Sequence, residues 1–499
     1  MSLLKKLAGD TAIYGVSSIL SRILNFLVLT YYLSGAVKPE EFGVYSEMYA
    51  YVSILIIFFT YRMETAFFRF GSRDGNLDRA FSTGSVALFF TTTILTVLLI
   101  LVAPVLGPLL DSSNYQKYLI WFAFIVAFDA LSALPFARLR LTDRPIKFAV
   151  FKTLSILVNI ICLFFFLEGL PRLIAAGWET GAMIYDPKDR IKYVFIANFF
   201  GSAVTLLFLL TEYFKIKFDF DKVLLKKMLV YAAPLIVVSI AAAVNQQLNI
   251  PLVKFLAAEE EEVAKVLLGE YAACFKIAML MSLAIQAFNY AAEPFFFNQS
   301  EKKNSQKTYA NVGQAFALVG SFIFLGIVLY LDIFKHLIRD PIYWAGLKVV
   351  PILLLANFFL GLYYNFSIWY KLKDKTIFGA YISVAGSIIT LGLNFLLIPI
   401  IGYMGAAFTS LACYAFMAAA SYLTGRKYYP IPYPIGKMLT YIVLAVLFYL
   451  VSEFFKNNFG FSTPLLLLIN TGLILIYSLF IGFIERDFLK KIRRKKLSE

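Results

Sequence analysis

The chain has 499 residues, of which 60% are hydrophobic and 15% charged, and its mean hydropathy is +0.76. That composition excludes an ordinary soluble domain and points to a polytopic membrane protein. The formal charge of +15 is spread between apolar spans instead of lying on one soluble face, so it reads as a membrane-orientation signal and not as a nucleic-acid surface.

The first apolar run follows Lys5 and Lys6 and lacks a small-residue cleavage site, so it reads as a transmembrane helix and not a cleaved leader. At about 11–33 it covers roughly 33 Å at 1.5 Å per residue, with Arg22 near its middle. A short polar turn from Val37 to Gly43 leads to a second span at about 44–68, which carries Arg62 and Glu64 close together. Hydropathy predicts further spans at about 81–104, 118–137, 147–168, 191–213, 229–257, 267–292, 310–331, 347–370, 377–399, 404–424, 437–455 and 464–484, about fourteen in all.

An even number puts both termini on one side. If that side is the cytoplasm, the inside segments hold Arg69, Arg73 and Arg79, then Arg138, Arg140 and Arg144, then Lys215, Lys222, Lys226 and Lys227, and finally the basic tail after Ile484. The outside loops are poorer in Lys and Arg and include the acidic run Glu259 to Glu262. The positive-inside rule therefore expects both ends in the cytoplasm, with the tail touching anionic membrane lipids.

A weak internal repeat accompanies this pattern. Gly43-Val44-Tyr45 recurs as Gly269-Glu270-Tyr271, Glu64-Thr65-Ala66-Phe67-Phe68 is echoed by Glu293-Pro294-Phe295-Phe296-Phe297, and Asn159 and Asn394 hold similar places in spans five and eleven. The expected fold is all-α, with two six-helix lobes and two extra C-terminal helices. The boundaries fall at residues 1–214, 215–425 and 426–485, followed by a basic tail at 486–499. The segment Lys215 to Met228 could form an amphipathic connector between the copies.

Charges at membrane depth are costly unless they face a wet cavity or a partner, which makes them functional candidates. Arg22, Arg62, Lys254 and Lys276 fall in the first two spans of each copy, where they would make a shared cavity cationic and fit for an anionic head group. The plainer alternatives are an interfacial pair for Arg62 and Glu64, and snorkelling for Lys152 and Lys254. Span seven holds Asn245, Gln246, Gln247 and Asn249 just before Pro251, and Gln286 extends the polar stripe in span eight. These side chains either line the cavity or tie helices together by hydrogen bonds. Pro251 removes a backbone donor, so a kink or break is expected there, with Pro251 as the gate. Asp129, Glu64 and Glu293 are the acids that could couple transport to an ion, Asp129 foremost among them.

Enzymatic chemistry finds no footing. Cys162, Cys274 and Cys413 lie in apolar spans without metal-ligand spacing, and His336 is the only histidine. No Gly-rich phosphate loop is present, and the segments between spans are too short for a soluble catalytic domain. The expectation is no catalytic residue, no metal and no cofactor.

The opening Leu3-Leu4-Lys5-Lys6 to Tyr14-Gly15, the turn Pro39-Glu40-Glu41-Phe42-Gly43-Val44-Tyr45-Ser46 and the hairpin from Ile398 to Ala407 resemble the bacterial polysaccharide transporters, the Wzx-type flippases of the multidrug, oligosaccharidyl-lipid and polysaccharide exporter superfamily. The resemblance implies a two-lobed transporter of the cytoplasmic (inner) membrane. Its cargo would be an undecaprenyl-diphosphate-linked oligosaccharide for O-antigen, capsule or exopolysaccharide synthesis. It also implies that Arg22 and Arg62 meet the diphosphate, and that the polysaccharide polymerase and glycosyltransferases of the same pathway are partners. Lys254 and Lys276 transfer by position alone. A multidrug extrusion antiporter or a lipid II flippase of the same superfamily is the nearest alternative. A membrane glycosyltransferase or O-antigen ligase would need acids or bases in a larger external loop than Gly169 to Arg190 provides.

Overall fold

The structure, a computed structural model, describes residues 30–72, 76–110, 113–215, 219–299, 304–373 and 375–486. Among them there is no strand, and 13 helices are long and apolar enough to cross a membrane. Each of the 13 matches a predicted span. The predicted first span, with Arg22, lies outside the described residues except for its last few, and so does the basic tail beyond Arg486.

In chain order the helices are α1 (Pro39–Thr60), α2 (Met63–Gly71), α3 (Leu77–Leu110), α4 (Ser113–Leu141), α5 (Pro145–Phe164), α6 (Leu170–Ala175), α7 (Glu179–Ile184), α8 (Ile191–Tyr213), α9 (Lys222–Gln247), α10 (Asn249–Leu256) and α11 (Glu261–Gln299). They continue with α12 (Ser305–Leu329), α13 (Leu331–Phe334), α14 (Val350–Phe366), α15 (Ile368–Leu372), α16 (Ile377–Ile401), α17 (Tyr403–Tyr428), α18 (Ile435–Phe459) and α19 (Thr463–Ile484). The predicted external loop after span five starts later than expected, because α5 runs through a π turn at Phe165–Gly169 into α6. The amphipathic connector does not form a helix of its own where it is described. Asp221 caps α9 by accepting from the N–H groups of Val223 and Leu224, and α9 runs straight on into the span. The Leu224 N–H bond, with Arg79 nearby, holds the Asp221 carboxyl below the usual carboxylate range.

The chain forms two compact units, Met1–Ala273 with Ser383–Ala406, and Cys274–Ile382 with Ala407–Glu499. In the first, a polar rim closes one end of the bundle. Arg138 donates to the Glu212 carbonyl at 2.8 Å and to Asp78 at 2.7 Å, while Lys147 and Lys215 converge on the buried Glu212 carboxylate. Behind the rim, Met63, Phe67, Phe81, Leu134 and Met228 form an apolar core.

Two glycines set a close approach in this unit. A Cβ on Gly43 would lie 2.9 Å from the Lys265 carbonyl oxygen, and one on Gly269 only 2.0 Å from the Pro39 carbonyl oxygen. These glycines open the two repeat motifs, and Pro39 precedes Gly43 by the same four residues as Lys265 precedes Gly269. Each copy of the motif thus rests on the other, at a spacing only residues without side chains allow.

In the second unit, α18 and α19 are tied to α12 by a fully buried carboxylate. Glu485 accepts from Gln314 at 2.8 Å, Tyr441 at 2.7 Å and Lys437 at 2.8 Å.

Candidate functional site

The site begins where a membrane helix fails to stay helical. Thr60 turns its hydroxyl back onto the Ile56 carbonyl at 2.7 Å, a local bond that competes with the helix ladder. Tyr61 and Arg62 then both adopt the left-handed region, with φ of 33° and 56°, before α2 resumes at Met63. Neither is a glycine or an asparagine, so each costs about 1–2 kcal/mol relative to the right-handed form. Strain of this kind gathers where structure holds a side chain for use. Here the side chain is Arg62.

Arg62 opens onto a cavity of about 540 Å³ inside the first unit, walled by α1, α4, α5 and α8. Glu64 stands 3.4 Å from its guanidinium. Asp129 from α4 and Lys152 from α5 share the cavity, with hydroxyls from Ser53, Thr60, Ser132, Ser155 and Thr205. The Lys152 ammonium sits 5.0 Å above the Phe136 ring. Lys152 therefore lies on a cavity wall, where the sequence favoured snorkelling. Two cations and two carboxylates balance in charge, and the hydroxyls between them offer both donors and acceptors. Such a chamber can hold a polar ligand with a charged group at membrane depth, which apolar helices alone cannot.

Lys254 is placed elsewhere. Its ammonium donates to Glu47 Oε2 at 3.2 Å, to the Leu110 carbonyl at 2.8 Å and to Tyr115 Oη at 3.2 Å. Glu47 also accepts from Tyr51 and Tyr115, both at 2.8 Å. Both charges are enclosed, with side chains 3% and 0% exposed, so Lys254 is a buried tie between α10, α1, α3 and α4. The expectation of a cavity cation is corrected: every direction in which the ammonium could donate is already filled by protein. Glu47, which sequence reading passed over at the start of a span, is its partner.

Asn245 and Asn249 also face protein. The Asn245 amide donates to the Ser383 carbonyl at 3.0 Å and its oxygen accepts from Thr390 at 3.2 Å. Asn394 donates to Asn249 Oδ1 at 2.6 Å, and the Asn249 amide reaches the Ala406 carbonyl at 3.4 Å. Both asparagines are buried, so of the two readings the sequence left open, interhelical bonding to α16 is the one realised. Gln246 is half-buried. The break expected near Pro251 is present, with α9 ending at Gln247 and α10 starting at Asn249. Proline clashes with the carbonyl four residues before it and leaves that carbonyl without its donor, and that residue is Gln247.

Lys276 and Gln286 belong to the second unit, both half-buried on α11, and Glu293 lies on the same helix. Sequence reasoning also missed Ser239. The Arg62 Nε–H donates to its hydroxyl oxygen, and no sequence signal links two residues so far apart along the chain.

A family model described as polysaccharide biosynthesis protein matches residues 7–300. Among solved structures, the lipid II flippase MurJ in an inward closed conformation superposes with a TM-score of 0.66 at 15% identity, over 95% of this chain and 99% of that one. A multidrug resistance MATE family transporter of the MOP superfamily, inward-facing, gives 0.61 at 13% identity over 84% and 94%. At these identities the likeness is one of fold. No curated protein matches the sequence.

Proposed function

Because the chain belongs to the polysaccharide biosynthesis protein family and shares the fold of MOP-superfamily transporters, we propose that it flips an undecaprenyl-diphosphate-linked oligosaccharide across the cytoplasmic membrane, with no chemical change to the cargo. The observation that carries this reading is the membrane-embedded cavity into which a strained backbone presents Arg62. A guanidinium fits phosphate oxygens through its planar fork, and the surrounding hydroxyls suit a polar cargo. Arg22 and Lys276 complete the proposed set of cations, and Asp129, Glu64 and Glu293 are the acids available for ion coupling. Both termini are cytoplasmic in this reading, and the lobes follow the repeat boundaries at 214 and 425.

The test is flipping of an undecaprenyl-diphosphate-linked glycan in proteoliposomes. Arg62→Ala is expected to lower the rate by about 10- to 100-fold, the worth of charge-assisted hydrogen bonds, with expression and thermal midpoint unchanged. A well-folded Arg62→Ala protein flipping at the normal rate would remove the diphosphate role.

Gating is assigned to the α9–α10 break. Pro251→Ala should restore a ladder hydrogen bond, stiffen the helix and slow flipping without changing affinity for the lipid-linked glycan. Loss of binding instead would make Pro251 a substrate contact.

A second reading, export of organic cations, draws on Asp129 and Glu64 in the same cavity. Efflux of a cationic dye that fails in Asp129→Asn, together with no flipping of lipid-linked glycan, would favour it.

A further inference from the structure

Arg62 could point in many directions from a left-handed backbone, yet its guanidinium is held at one edge by a residue on another helix. Ser239, on α9, is buried, and its hydroxyl donates to the Leu235 carbonyl at 2.7 Å. With its only proton committed there, Ser239 Oγ can offer Arg62 nothing but a lone pair, and the Arg62 Nε–H donates into it. On the other side, Glu64 approaches the guanidinium at 3.4 Å, a loose contact by hydrogen-bond standards. The Arg62 side chain keeps 42% of its surface exposed. One edge is therefore tethered while much of the group stays open to the cavity.

We infer that Ser239 is a positioning residue for anion recognition: by accepting from Arg62 Nε it fixes the plane of the guanidinium so that the free edge faces a diphosphate-type group in the cavity. The inference rests on the proposed function, in that Arg62 meets an anionic head group. Without the tether the guanidinium is free to collapse onto Glu64, and an ion pair with its own counter-charge is a poorer receptor for an entering anion. The acceptor must be matched to an Nε–H in a planar group. Methionine in place of Arg62 has a similar length and no donor, which separates positioning from packing.

The test uses the purified full-length chain in nanodiscs, with undecaprenyl diphosphate as the probe. Ser239→Ala is expected to raise its Kd about tenfold while leaving the thermal midpoint unchanged. In an Arg62→Met background the same Ser239→Ala change should have no further effect on Kd, because the bond it removes is already gone. Unchanged binding by Ser239→Ala, or an equal loss in both backgrounds, overturns the inference, the latter by showing that Ser239 acts through packing. Should Ser239→Ala fail to fold, Ser239→Cys makes the same comparison, since a thiol of similar size is a weak acceptor. Arg62→Ala separates the two levels. If it leaves undecaprenyl diphosphate binding intact, the proposed role of Arg62 fails; if it weakens binding while Ser239→Ala does not, only the role of Ser239 fails.

Discussion

Lys254→Met is expected to destabilise the protein by about 3–5 kcal/mol, the usual cost of leaving one member of a buried ion pair without its partner. The loss comes from Glu47, whose carboxylate would keep two tyrosine hydroxyls but lose its counter-charge at a position fully closed to solvent. The paired change Glu47→Gln with Lys254→Met should recover part of the stability, since it removes the uncompensated charge and leaves only neutral groups, the Gln amide and the Leu110 carbonyl, short of partners. Thermal unfolding of the purified variants reads both results. A single variant as stable as the parent would show that the carboxylate has another source of charge.

Gly269→Ala should be as damaging by a different route. The added carbon would lie 2.0 Å from the Pro39 carbonyl oxygen and 2.9 Å from the Pro39 Cα, and backbone atoms have no rotamer by which to yield. Overpacking commonly costs 1–3 kcal/mol, and a clash with backbone belongs at or beyond about 3 kcal/mol. Gly482→Ala is the control. Nothing lies within 4 Å of the position its Cβ would take, and α19 should gain slightly from the better helix former. If the two alanine variants behave alike in size-exclusion profile and thermal midpoint, the close approach of α1 and α11 is absent in the membrane.

Much of this architecture was legible in the sequence because it depends on properties local to the chain. Among the described residues, apolar runs of sufficient length became helices, Pro251 interrupted one, and the glycines of the repeated motif turned out to mark a helix crossing. The partners were not legible. Lys254 read as a cavity cation because Glu47, 207 positions away, sat at a span edge where a charge needs no explanation. Asn245 and Asn249 were correctly placed on one helix face by their spacing, but that spacing cannot say whether the face meets water or α16. The left-handed turn at Tyr61 and Arg62 carries no glycine, proline or asparagine to announce it. What accompanies it is the bond from Arg62 to Ser239 on another helix, a tertiary contact that propensity does not register.

The two contacts between the α1–α2 segment and the α9–α10 segment have a mechanical consequence. Glu47 pairs with Lys254 and Arg62 with Ser239, and the two members on each segment are separated by the same number of residues. Two antiparallel rods pinned at matched points resist slippage: a shift by one helical turn, about 5.4 Å, would unfasten both pins at once and gain neither a new charge partner nor a new acceptor. The pair should therefore carry load as a single strut, and whatever bending the transport cycle demands must be absorbed at the breaks at Tyr61–Arg62 and Leu248, which lie beside or between the pins.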